Sequence, residues 1–183
     1  MSSRILVDEI QDASGNNQVK PSGLAIQLDG WRLSSDEGTD DQNPIGGSGE
    51  WERIDEATFS KIGTGLTESN GIFTFPSTGV WWIDFVFNAS HQNSTANVEI
   101  IAMISTDTGS NFEDYTTVGG SISHNSGAMR KTFPGHMCIN VTNASTFQFK
   151  FKTNGFNSND KVEGNSAKNL TYFFCRRIAD AQT

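Results

Sequence analysis

Two cysteines in 183 residues, Cys138 and Cys175, provide no disulfide framework. Each falls inside an apolar strand pattern and reads as a small buried hydrophobe. Histidine is equally sparse. His91, His124 and His136 stand apart, with no metal-ligand spacing and no nucleophile-elbow sequence to recruit a serine into a triad. No run of about 18 apolar residues is present to cross a membrane. Acidic residues interrupt the opening Met1-Ser2-Ser3-Arg4-Ile5-Leu6-Val7-Asp8 before a secretory h-region can form. The chain is therefore expected to be made in a cytoplasm and to reach any outside station without a signal peptide.

Positive charge is also short, with 13 Lys and Arg against 21 Asp and Glu. Residues 1–56 hold twelve acidic and four basic side chains, while residues 57–183 hold nine of each. Nucleic-acid binding needs clustered cations to neutralise phosphates, so that class is excluded. The acidic third suits docking on a basic protein surface. Strong helix formers are few, whereas Phe (13) and Gly (18) abound, which favours an all-β domain with many turns.

The pattern of strands supports this. Phe73 and Phe75 flank Thr74, and Pro76-Ser77-Thr78-Gly79 makes a turn. Beyond it Trp81, Ile83, Phe85 and Phe87 share one face, while Trp82, Asp84 and Asn88 share the other. Phe147, Phe149 and Phe151 alternate with Gln148, Lys150 and Lys152. Strands are predicted near 51–60, 71–76, 79–88, 96–106, 113–122, 129–141, 145–153 and 168–178, with Gly, Asn and Ser between them. This is a two-sheet sandwich. Residues 1–33 read as an extended N-terminal docking arm, 34–49 as a polar linker and 50–183 as the sandwich domain. The arm carries an apolar patch at Ile5, Val7 and Ile10, a Gly-Asn turn, a Pro21-fixed extension and then Leu24.

The order Gly71-Ile72-Phe73-Thr74-Phe75-Pro76 with Gly79, a long aromatic strand and a closing aromatic strand at 170–175 resembles the jelly-roll superfamily. That superfamily comprises the tumour necrosis factors and the globular heads of the first complement component, and the likeness covers roughly residues 50–178. It implies a homotrimer packed around a threefold axis by outer-face aromatics. Trp82, Phe173 and Met103 are expected at that interface, since large apolar groups on an outer face imply a cover. The other cover available is the arm itself, folded back through Leu24-Ile26-Leu28 or Trp31. The arm, Ile5 through Leu24, resembles the opening of small structural virion proteins of tailed phages from aquatic environments.

Candidate chemistry is thin. Asp36, Glu37, Asp40 and Asp41 could gather calcium, yet their spacing fits no calcium loop and they read as solvated. Asp84 and Glu99 could mimic a carboxylate pair. Asn88, Asn93, Asn140, Asn143 and Asn169 begin glycosylation sequons that reflect composition. No cofactor or metal is called for. The expectation is a non-enzymatic phage virion protein: a homotrimeric capsid decoration on the virion surface, attached by its arm to the major capsid protein or another virion protein. The alternative is a tail-fibre tip or other receptor- or glycan-binding module. It would use loops 88–96, 106–112 and 154–168, which hold hydrogen-bonding residues but no Trp or Tyr for stacking.

Overall fold

The computed structural model describes residues 26–38, 40–57, 59–91, 96–122 and 129–183. Ile5, Val7, Ile10, Leu24, Asn93 and His124 lie outside them. Numbered in chain order, the strands are β1 (Gln27–Leu33), β2 (Glu37–Gly38), β3 (Trp51–Arg53), β4 (Thr67–Ser69), β5 (Ile72–Thr74) and β6 (Gly79–His91). They continue with β7 (Ala96–Ser105), β8 (Glu113–Ile122), β9 (Met129–Val141), β10 (Gln148–Asn154), β11 (Asp160–Val162) and β12 (Tyr172–Ala179). Among the described residues, seven strands form the larger sheet, ordered β2-β11-β6-β12-β1-β3 with β9 also on β6. Five form the smaller, ordered β4-β5-β10-β7-β8. All pairings are antiparallel, and the two sheets close on each other as a jelly-roll sandwich.

The alternation read in the sequence becomes the core. Trp81, Ile83, Phe85 and Phe87 of β6 face Phe149 and Phe151 of β10 across the gap. Strand β9 contributes Phe133, Met137, Ile139 and Val141 from every second inward position. Phe73 stacks on Phe149 at 5.0 Å and meets Phe173 edge-on at 4.8 Å. Trp51 sits among Phe73, Phe87, Phe151 and Phe173, and its indole N–H donates to the Ile45 carbonyl at 2.8 Å. Burying both ring and polar tip in this way meets the requirement of a buried tryptophan. Two glycines are required by geometry. Gly71 sits at φ +77 in the turn before β5. At Gly135 a Cβ would come within 2.3 Å of the Phe85 ring, so only glycine lets β9 lie this close to β6.

The structure moves several boundaries. Gln27–Leu33, expected within the docking arm, is a strand of the larger sheet, paired with β12 and β3. Its Trp31 and Leu33 are core residues. The 34–49 stretch, expected as a linker, contains β2 and packs onto the domain. Ile45 is fully buried there and its N–H donates to the Phe151 carbonyl. Three of the four acidic residues of this stretch are staples. Asp41 accepts from the Phe156 N–H at 2.9 Å, and Asp36 from the Gly164 N–H at 3.0 Å. Glu37 accepts from the Gly46 N–H. No cluster of three potential metal ligands occurs among the described residues.

Candidate functional site

Every second residue of β6, β9, β12 and β1 points away from the core, so registry builds the outer face of the larger sheet row by row. Trp82 lies between Cys138 and Arg176, Asp84 between His136 and Phe174, and Val86 between Pro134 and Tyr172. The Trp82 ring stacks on His136 at 5.0 Å and 11°, and its N–H donates to Asp84 Oδ1 at 2.7 Å. Arg176 approaches the other Asp84 oxygen at 3.5 Å. Phe174 packs edge-on against Tyr172 and Phe59, and lies against Gly30 of β1, where a Cβ would strike its ring. Toward one end of the face, Ile26, Ile62 and Ile178 are more than half or about half exposed, and Ile62 bridges to Leu28. The result is an aromatic and aliphatic surface with a few charges, broad and shallow.

Of the three residues expected there, only Trp82 lies on this face. Phe173 has no exposure and points into the core, among Trp51, Phe73, Phe149 and Phe151. Its neighbours Tyr172 and Phe174 point outward instead. Met103 faces out from the smaller sheet, on the opposite side of the sandwich. It is 7% exposed beside Lys150 and Asp114, its register partners. There Lys150 lies over the Phe112 ring at 4.2 Å, and Lys152 pairs with Asp114 at 2.8 Å. The chain thus covers Met103 with its own lysine stems.

Other candidates are dispersed. Asp84 and Glu99 sit on different sheets, Glu99 accepting from Asn154 on β10, so they form no carboxylate pair. His91 is fully buried at the end of β6 and bonds Asp160 of β11. Cys138 is exposed, contrary to expectation, while Cys175 is buried, and desolvation pushes the Cys175 thiol well up. A feature absent from the sequence reading is a cleft of about 460 Å³ where the edges of the two sheets meet. Its floor is Ile104, Ile139 and Phe147, and its rim includes Asp107, Asn111, Glu113, Tyr115 and Asn140. Tyr115 is an extra residue in β8, since Ala102 pairs with Thr116 and Met103 with Asp114. That bulge turns its ring toward the sandwich edge.

No protein-family profile matches the sequence, and no curated protein does. Solved structures do resemble the fold. Murine APRIL at pH 5.0 superimposes with a TM-score of 0.59 at 9% identity, covering 84% of this chain and 99% of that one. Eiger TNF from S. frugiperda gives 0.64 at 8% identity, covering 87% and 96%. The chain therefore has a TNF-like jelly-roll fold.

Proposed function

We propose that the protein is a non-enzymatic, homotrimeric structural protein of a virion surface, a capsid decoration attached through its N-terminal segment. The observation that carries the trimer is the outer face of the larger sheet. Trp82, Phe174, Tyr172, Phe59, Val86 and Pro134 share it with exposed Ile26, Ile62 and Ile178. A largely aromatic and aliphatic face of this kind, crossed by the Asp84–Arg176 pair, marks association, and a second and third copy supply a cover of the same chemistry. The TNF-like fold is compatible with closed threefold symmetry. The virion assignment rests on the resemblance of residues 5–24 to the arms of phage structural proteins and on the acidic bias of that third.

The test is oligomeric state. Sedimentation at micromolar concentration is expected to give three times the chain mass of 20.0 kDa. Trp82→Glu is expected to give monomer or misfolded protein, because an unpaired charge in a buried interface is costly. A wild-type monomer at that concentration overturns the proposal.

A further inference from the structure

The edge cleft is built more like a ligand site than a packing gap. Its volume of about 460 Å³ falls within the roughly 300–1,000 Å³ of small-molecule sites, which pair an apolar lining with a few placed polar groups. The floor of Ile104, Ile139 and Phe147 is apolar. The rim is held rigid. Asp107 accepts from the Ser105 hydroxyl at 2.7 Å and the Asn111 N–H at 2.9 Å through one oxygen, and from the Asn111 amide at 2.6 Å through the other. Those bonds lower its pKa to about 2, so the carboxylate stays charged. Across the cleft, the Tyr115 hydroxyl donates to the Cys138 carbonyl at 2.6 Å, tying β8 to β9. The residue as a whole remains 54% exposed. The Asn140 amide exchanges two hydrogen bonds with the Gln182 backbone, both at 2.9 Å, and so anchors the C-terminal tail rather than a ligand.

We propose that this cleft binds a neutral saccharide of one or two rings. None of its nine lining residues is Lys or Arg, so nothing there recognises phosphate, sulfate or carboxylate groups. Asp107 and Glu113 are acceptors suited to vicinal hydroxyls, and the Asn111 carbonyl and Thr106 hydroxyl add further polar contacts. The Tyr115 face carries negative quadrupole potential, which the C–H face of a pyranose meets favourably. The apolar floor takes the remaining ring carbons. The loop 106–112 lacks Trp and Tyr, but the β8 bulge delivers an aromatic ring from outside it.

Saturation-transfer NMR on the full chain, with methyl glycosides of glucose, galactose, mannose and N-acetylglucosamine, tests this at concentrations on the order of millimolar. At least one glycoside is expected to receive saturation on its ring protons. Tyr115→Ala is expected to weaken binding about tenfold. Glu113→Gln, at an exposed side chain that does not threaten folding, is expected to weaken it about threefold. The proposal is overturned if no glycoside binds, or if either variant leaves affinity unchanged. It is also overturned if tetramethylammonium binds and the glycosides do not, because the carboxylates would then serve a cation. The site goes beyond the trimer reading and stands apart from it, since sedimentation is indifferent to sugar binding and to Glu113→Gln.

Discussion

Asp29 is 1% exposed, yet it accepts five hydrogen bonds: from the Gly30 and Leu66 N–H groups, the Trp31 indole, and Nε and Nη2 of Arg53. The guanidinium of Arg53 also lies 4.5 Å over the Trp31 ring. The carboxylate thus joins β1, β3 and the segment before β4. Asp29→Ala leaves five donors without their acceptor and is expected to cost about 3–5 kcal/mol; a shifted urea midpoint at unchanged slope checks it. Asp107 is the exposed counterpart. Its hydrogen bonds from Ser105 and Asn111 depress its pKa from 3.8 to about 2. The folded value lies below the unfolded one, so the stabilisation is present above pH 3.8 and is lost as pH falls through about 2. The Asn111 amide resonance is expected to titrate near that lower value. The two thiols differ in kind. Cys138 and Cys175 lie on β9 and β12, on either side of β6 and on opposite faces of the sheet, beyond disulfide reach. Because Cys138 lies beside Trp82 on the proposed trimer face, a thiol reagent is expected to label it rapidly only once the trimer dissociates, and Cys175 only after denaturation.

Strand β1 belongs to the larger sheet. Asp29, Gly30 and Arg32 carry no local signal of a strand buried to its end, because nothing nearby in sequence can satisfy two charges there. Their partners are distant: Arg53 and Leu66 for Asp29, Glu52 and Glu56 for Arg32. Deletion of residues 1–23 is therefore expected to leave a cooperatively melting domain, whereas deletion of 1–33 removes Trp31 and Leu33 from the core and abolishes folding. Circular dichroism melts of the two truncations separate these outcomes. Strand β12 shows a different limit of local reading. Tyr172-Phe173-Phe174-Cys175 is apolar at every position, so its alternation has no phase, and Phe173, expected outward, points in. In β7 the run Ile100–Ile104 is likewise apolar throughout, and the side of the sandwich on which Met103 falls depends on which sheet β7 joins.

For the assembled protein, the N-terminal segment and the sheet face serve separable roles in the proposed function. Removing residues 1–23 is expected to preserve the trimer while abolishing attachment to particles, and raised salt is expected to weaken the attachment of the intact chain through its acidic groups. Particle occupancy after purification measures both. Wild-type occupancy of the truncated protein sinks the docking role.

Composition and period-two alternation by themselves determined the all-β class, strands β6, β9 and β10, and the aromatic core of the sandwich. Where an inward ring alternates with an outward polar group, only one face can be buried, so burial follows from the order of residues. Tertiary structure alone decided the phase of the uniformly apolar strands, the inclusion of β1, the burial of His91 with Asp160 and the edge cleft. Each depends on which strands become neighbours. Asp29 finds Leu66, and Tyr115 finds the Cys138 carbonyl, only after chain closure has brought distant segments within hydrogen-bond range.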